Sequence, residues 1–495
     1  ARGIYLESLT GSVVGEARTG LLVLLGAVAM VLLIACANVA NLLLARGSTR
    51  VSEMAVRSTL GASRGALIRQ LFTESAVLAT LGGGFGLLLA TAGLKALKAL
   101  SPGRLPRMSN VGMDATVFLY AAGIALLVAL AFGVLPALRL SRAPIASAIR
   151  KGRERDLQLG RRGLARSCLL AGEVGLSLVL LLGAGLLLRS FANIRSVNLG
   201  FQASQVQQFT LTLPPEEYGQ EQTVGFYRAL EDRIAALPGV RAVGMNSGSP
   251  LGRTHTTISF TIPSRPEPAP GEEPVWLGRR ATPGYFASMG IPILRGRGID
   301  PSDGPGNQQV VVISQTAANQ FWPNEDPVGQ QIVMDEDDPP WAIVGVVGDV
   351  RSLDVTTKVE PEAYFPHAQW SQNTMTVEVL QAGAVPGLAA SLRQAVQDLD
   401  PKLPLYWMES LQDRVDESTA SDRFYLILLG SFAALALILA SVGLYGVVAY
   451  LVSRRTREIG IRVAMGASRR SVLRLVVGQS LGPVMAGLAL GSYLA

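Results

Sequence analysis

Cysteine, histidine, lysine and charge are all scarce in this 495-residue chain, and each shortage excludes a class of chemistry. Its two cysteines, Cys36 and Cys168, cannot build a disulfide framework, and both lie in apolar stretches where a lone thiol is a small packing residue. The two histidines, His255 and His367, leave no HExxH or other His-based zinc site. None of the five lysines (Lys95, Lys98, Lys151, Lys358, Lys402) follows a glycine, so the Gly-Lys of a P-loop is missing. The acidic run Asp335 to Asp338 lacks the spaced ligands and central glycine of a calcium loop and reads as solvated, which leaves no metal site. No nucleophile, base and orienter stand together, so no catalytic residue is assigned and the chain is not expected to be an enzyme.

Charged residues make up only 16% of the chain against 49% hydrophobic, where soluble domains carry roughly a quarter charged. That balance excludes disorder and places the apolar excess in lipid or in an unusually large core. The net charge of +7 does not describe a nucleic-acid surface, because the arginines come in short runs that alternate with apolar stretches, a pattern of membrane topology. Residues 1–17 lack the basic-then-apolar order of a signal peptide, and the start reads as internal to a longer protein.

A helix needs roughly 20 apolar residues to cross a bilayer. Six stretches qualify, at about 19–45, 74–97, 115–138, 167–191, 424–453 and 475–495. The fourth is interrupted by Glu173, an acid inside an apolar span and therefore a functional candidate, although pairing with the interfacial arginines near Arg166 would also account for it. Between spans, 46–69 carries five Arg against Glu53, 139–166 nine basic residues against Glu154 and Asp156, and 453–474 seven Arg against Glu458. These three are predicted to be cytoplasmic, which puts 1–17, 99–114 and the acidic stretch 192–420 outside. The glycines Gly82, Gly83, Gly84 and Gly86 are expected to allow close helix packing.

Residues 192–420 read as a folded mixed α/β domain. Strand-like runs rich in β-branched residues occur at Phe209 to Leu213, Ile258 to Ile262, Val310 to Ser314, Trp341 to Val347 and Thr374 to Leu380. Helical periodicity occupies Thr223 to Leu237 and Val385 to Leu399, and Leu237-Pro238-Gly239-Val240 closes a helix and opens a strand.

The chain also repeats itself at an offset of 405 residues. Arg50, Glu53, Arg57, the run Gly61-Ala62-Ser63-Arg64 and Arg69 match Arg455, Glu458, Arg462, Gly466-Ala467-Ser468-Arg469 and Arg474. In each copy Glu and Arg stand at i, i+4 on a short amphipathic helix, Gly61 or Gly466 ends it, and Ser63 or Ser468 caps the next helix. An interfacial helix held by anionic lipid is the alternative, but lipid binding requires no particular order of residues, whereas both copies keep Gly-Ala-Ser-Arg.

The segment from Thr456 through Glu458, Ile459 and Arg462 to Gly466-Ala467 resembles the cytoplasmic signature of the FtsX-like permeases, the membrane subunits of MacB-type ABC transporters. The external stretch resembles that family's MacB-like periplasmic core domain at Tyr285 to Ile291, Gly296-Arg297 and Asn324 to Gly329. With Ala35 to Leu43 in a first unit, the chain looks most like the duplicated orphan permeases of acidobacteria.

The resemblance implies an α-helical membrane protein with a mixed α/β periplasmic domain. It divides the chain into the end of a preceding periplasmic domain (1–17), a first permease module (18–142), a basic cytoplasmic linker (143–166), an opening span (167–191), a periplasmic core (192–420) and a second module (421–495), with segments missing at both ends. It implies a non-catalytic permease of the bacterial inner membrane, binding no cofactor itself and driven by a separate ATPase that carries ATP and Mg²⁺. Glu53, Arg57, Gly61, Ser63, Arg64, Glu458, Ile459, Arg462, Gly466, Ser468 and Arg469 would form the ATPase-coupling helices. Expected partners are the bilayer and a periplasmic adaptor or outer-membrane channel, with the two units acting as a pseudo-dimer and nucleic acid playing no part. The competing expectation is a signalling or scaffold protein that regulates a periplasmic enzyme such as a cell-wall hydrolase.

Overall fold

The computed structural model describes residues 18–42, 64–100, 112, 114–129, 152–252, 255–269, 271–334, 339–383, 385–454 and 456–494. The chain divides into two compact units, Asn193–Ala420 and the remainder on either side of it.

In the flanking unit the described helices are α1 (Arg18–Leu42), α2 (Arg64–Leu100), α3 (Ala115–Ala129), α4 (Gly152–Arg195), α10 (Ala420–Arg454), α11 (Thr456–Ala464) and α12 (Arg469–Leu494). Among the described residues three stretches are long and apolar enough to cross a membrane: Arg18–Leu42, Arg166–Arg195 and Ala420–Tyr450. They coincide with three of the six expected spans. Leu481–Leu494 is a shorter apolar helix, and α3 has 15 described residues, the rest of the expected 115–138 lying outside the described ones.

Ala27 and Ile34 of α1, Leu180 of α4, and Leu429, Ala433 and Ala436 of α10 form one buried cluster. Leu21, Leu22 and Leu25, by contrast, are exposed, as are Leu437 and Ile438, an outward apolar face suited to lipid. Small residues bring α4 against α12: a Cβ on Gly487 would lie 2.5 Å from the Ala171 carbonyl oxygen, and one on Gly491 2.7 Å from that of Gly175. Gly487 and Gly491 are four apart, the spacing that lets membrane helices approach backbone to backbone.

The expected opening span 167–191 falls within the membrane-capable stretch Arg166–Arg195, and the basic segment ahead of it, expected as a linker, is helical from Gly152. Its Arg, Glu, Leu and Gln are good helix formers and no proline interrupts them. No described neighbour lies within 4 Å of a Cβ placed on Gly82, Gly83, Gly84 or Gly86, so these glycines line no helix contact among the described residues. Cys168 is exposed and Cys36 half-buried, so only the second is even partly a packing residue.

The unit Asn193–Ala420 is built on one mixed sheet. Its elements in chain order are β1 (Val206–Thr212), α5 (Gln220–Ala235), β2 (Val240–Asn246), β3 (Thr257–Ser259), β4 (Val275–Ala281), α6 (Tyr285–Met289), β5 (Ile293–Gly296), β6 (Val310–Ser314), α7 (Gln315–Phe321), β7 (Gln331–Ile332), β8 (Trp341–Val347), β9 (Glu362–Pro366), β10 (Thr374–Gln381), α8 (Leu388–Gln397), β11 (Tyr406–Ser410) and α9 (Leu411–Ser418). The spatial order is β11-β1-β10-β2-β4-β9-β6-β8-β5, with β3 on β4 and β7 on β8. Pairs β4–β9 and β6–β8 are parallel and the others antiparallel.

Three buried clusters hold this sheet. Phe209, Tyr227, Leu230, Val377 and Leu392 join α5 and α8 to the strands β1 and β10. Tyr285, Phe286 and Met289 of α6 pack with Tyr364 and Val312 in a second, and Trp276, Trp341, Ile343 and Phe365 in a third. Side-chain caps fix the short helices: Ser314 Oγ accepts from the Ala317 amide and Ser410 Oγ from that of Asp413.

Candidate functional site

Two polar constellations interrupt the apolar helices. The first is the corner between α11 and α12. Glu458 and Arg462 stand one turn apart on α11 with 2.8 Å between Oε1 and Nη2, both half exposed. The helix then ends through a left-handed glycine: Gly466 has φ +92°, its N–H donates to the Val463 carbonyl at 3.0 Å, and the Ala467 N–H donates to that of Arg462 at 2.9 Å. Those two bonds satisfy the last carbonyls of α11 and force the chain to turn, a job a residue with a Cβ performs under strain.

Ser468 receives the Ser471 amide on its hydroxyl at 3.4 Å, and α12 starts at Arg469. Ile459 is partly buried, while Ile461, Val463 and Met465 project exposed. Of the matching first copy, Glu53, Arg57, Gly61 and Ser63 lie outside the described residues. Arg64 lies on α2 and Arg469 on α12, so the two matched arginines are both helical.

The second constellation surrounds Glu173. Pairing with the basic end of the span is not what α4 provides. Arg166 lies instead over the Tyr450 ring, 3.9 Å from its centroid, and Glu173, seven residues on, faces α1 and α10 with 1% exposure. A Cβ on Gly443 would stand 2.1 Å from Asn38 Oδ1 and 2.6 and 2.7 Å from the two Glu173 carboxylate oxygens, so the glycine makes room for both polar groups. Asn38 Nδ2 donates to the Leu439 carbonyl at 2.8 Å, and Ser177 Oγ to the Glu173 carbonyl at 2.8 Å. Asn38 and Gly443 gave no sign of this role in the sequence, because they reach Glu173 from other helices. Among the described residues no group of three His, Cys, Asp or Glu could hold a metal ion.

Membrane-capable helices precede and follow a mixed-sheet domain in the chain, and a capped amphipathic helix comes after the last of them, the architecture of a membrane protein with a folded extramembrane domain. The profile of the MacB-like periplasmic core domain matches residues 174–397, and that of the FtsX-like permease C-terminal matches 25–145 and 430–495. The chain belongs to the family of FtsX-like, MacB-type permeases, and its unit Asn193–Ala420 is the periplasmic domain.

Similar proteins include the uncharacterized ABC transporter permease YvrN of Bacillus subtilis, 26% identical over 41% of this chain and 54% of the relative. The macrolide export ATP-binding/permease protein MacB of Aggregatibacter actinomycetemcomitans is 24% identical over 38% of this chain and 30% of the relative. The pyoverdine export ATP-binding/permease protein PvdT of Pseudomonas syringae is 26% identical over 42% and 34%. The chain thus spans about half or less of the length of these curated relatives. The crystal structure of the periplasmic region of MacB from Actinobacillus actinomycetemcomitans superposes with a TM-score of 0.30 at 15% identity, over 45% of this chain and 95% of that one.

Proposed function

We propose that this chain is the permease component of an ABC-type exporter in the bacterial inner membrane, driven by a separate ATPase that binds and hydrolyses ATP with Mg²⁺. α11 and its duplicate around Glu53 and Arg57 dock on that ATPase. The corner at Gly466 passes the stroke into α12, and the two units work as a pseudo-dimer of six spans whose periplasmic domain meets an adaptor or outer-membrane channel. One observation carries this reading. The Gly-Ala-Ser-Arg sequence occurs twice, and its described copy is a capped turn beside the exposed Ile461, Val463 and Met465. A helix held only by lipid needs charge and amphipathicity, with no such defined corner.

The test uses the full chain purified with its ATPase, measuring co-purification and ATPase stimulation. An exposed i, i+4 pair contributes about 0.3–0.5 kcal/mol to its own helix, so Glu458→Arg or Arg462→Glu leaves the fold intact. Removing one partner of a charge pair buried at an interface costs about 2–5 kcal/mol, a loss of roughly 30-fold or more in affinity. Coupling is expected to fall that far in both variants and in a scrambled α11 of equal composition. Gly466→Asn, which tolerates a left-handed backbone, should retain coupling better than Gly466→Val. Full stimulation by the scrambled helix would refute docking.

A further inference from the structure

The periplasmic sheet carries a buried row of polar side chains across six neighbouring strands. Residues paired across strands share a face, as do residues two apart along one strand. Gln208 pairs with Glu409 on one side and Glu378 on the other, Glu378 pairs with Gly244, Asn246 with Ala281, and Arg279 with Tyr364. The row therefore runs Glu409, Gln208, Glu378, Asn246, Arg279, Glu362 from β11 to β9, with Tyr285 of α6 packed over it. Gln208, Glu378, Asn246, Arg279 and Glu362 are each at most 4% exposed.

Its charges balance at both ends and fail to in the middle. At one end Arg414 of α9 binds Glu409 Oε1 through Nε at 3.0 Å and Nη2 at 2.5 Å, and Gln208 Nε2 donates to the same oxygen at 3.1 Å. Ser249 Oγ donates to Gln208 Oε1 at 2.6 Å, which commits that amide at both of its ends. At the other end Arg279 meets Glu362 at 3.4 Å, and the Tyr364 hydroxyl donates to the same carboxylate.

Glu378 is the third carboxylate, fully buried between two satisfied ion pairs, and neither of its oxygens has a hydrogen-bond partner. The groups that face it are Gln208 from β1, Gly244 and Asn246 from β2, Arg279 from β4 and Tyr285 from α6, with Glu362 and Tyr364 of β9 beyond Arg279 and the Glu409–Arg414 pair beyond Gln208. Both arginines in this set already hold a carboxylate of their own. An ionised Glu378 would be a third negative charge without a cation of its own, a desolvation cost of several kcal/mol. Burial pushes the Glu378 carboxyl well above the usual range, against the opposing pull of Arg279, of its own backbone N–H and of Arg414.

We propose that Glu378 is a proton-binding site of the periplasmic domain, occupied at neutral pH and vacated when α6 lifts from the sheet or the domain unfolds. The ligand is a single proton, and the folded domain answers to the pH of the compartment around it. The sign follows from linkage: the folded state holds one proton more than the unfolded state above the ordinary glutamate pKa of about 4.3, so stability falls as pH rises. Each pH unit raises the unfolding equilibrium constant about tenfold through this one group.

The whole chain supplies its own reporter, because all five tryptophans (276, 322, 341, 370 and 407) lie in this unit. Denaturant unfolding of the full chain in nanodiscs, followed by tryptophan fluorescence from pH 5 to 8, is compared with Glu378→Gln. The ratio of wild-type to variant unfolding constants is expected to climb with pH, by up to about tenfold for each pH unit. A ratio that stays flat overturns the proposal. Infrared spectroscopy at pH 7 of the Glu173→Gln, Glu231→Gln double variant, which removes the membrane carboxyl and the raised carboxyl of α5, gives a second reading that needs no variant at 378. A neutral carboxylic-acid carbonyl band should persist there, and its absence overturns the proposal equally.

Discussion

One substitution type, glycine to alanine, should change the stability of the periplasmic domain in opposite directions at two positions 19 residues apart in sequence, Gly225 and Gly244. On β2, a Cβ at Gly244 would stand 2.3 Å from both N and Cα of Tyr285 and 2.5 Å from the carbonyl carbon of Gly284. Ordinary contact begins near 3.4 Å, so the clash is about 1 Å deep and the obstructing atoms are backbone. They cannot rotate away. Relief requires lifting α6, whose Tyr285 and Met289 are fully buried and Phe286 nearly so. Overpacking costs about 1–3 kcal/mol, and a backbone obstacle puts Gly244→Ala at about 3, a loss of roughly 150-fold in the folding equilibrium.

Gly225 sits in the interior of α5 with no atom within 4 Å of its Cβ position. Alanine there gains helix propensity without a clash, about 0.5–1 kcal/mol of added stability. Denaturant midpoints of the full chain by tryptophan fluorescence read both variants, downward for Gly244→Ala and upward for Gly225→Ala. If Gly244→Ala fell within 0.5 kcal/mol of the wild type, the close approach of α6 to β2 would be wrong, and with it the sealing of the polar row.

Arg279→Met would leave Glu362, 1% exposed, without its cation, and should cost about 3–5 kcal/mol in the same unfolding measurement; a change below 1 kcal/mol would mean that the pair is not buried. Glu231 of α5 is pushed up to about 7 by burial, opposed by hydrogen bonds from Thr282 and Gly284. Its folded-state pKa is raised, so the stability tied to its proton is lost as pH climbs from about 4.3 towards 7, and Glu231→Gln should make the stability profile shallower over that window, where Glu378 also acts, and leave the slope above it, due to Glu378 alone, unchanged.

The strands that were legible in the sequence are those whose burial is written in hydropathy. Val310 to Ser314 and Trp341 to Val347 are runs of β-branched and aromatic residues, and β6 and β8 occupy those same residues. β4 was not legible, because its sequence, VWLGRRA, places two arginines where a core strand should be apolar. Both are buried, on opposite faces: Arg279 against Glu362, and Arg280 over the Trp370 ring with 3.6 Å to its centroid. β9 begins with Glu362 and ends with Pro366, punctuation that reads as a loop, yet all five of its residues are buried. In each case the compensating partner is 80 or more residues away, beyond the reach of any periodicity. The corner at Gly466 was readable for the opposite reason. Its donors and acceptors lie within five residues of one another, so local order specifies them completely.

This contrast between local and distant compensation also divides what the two polar regions can do. At the corner, the Glu458–Arg462 pair is half exposed and water already solvates both charges, so the pair adds little to the fold and its removal leaves no buried orphan. Whatever specificity those residues possess must come from a second surface that excludes the water. In the sheet the reverse holds: Arg279, Glu362 and Glu378 have no water to fall back on, so any one of them altered alone changes the cost of folding itself. Changes at Glu458 or Arg462 should therefore appear in coupling to an ATPase and leave the unfolding midpoint of the periplasmic domain where it was. Changes at Arg279 should move that midpoint before they move anything else. A variant of α11 that shifted the tryptophan-reported midpoint as strongly as Arg279→Met would contradict this separation, because water solvates a half-exposed charge pair in the folded protein.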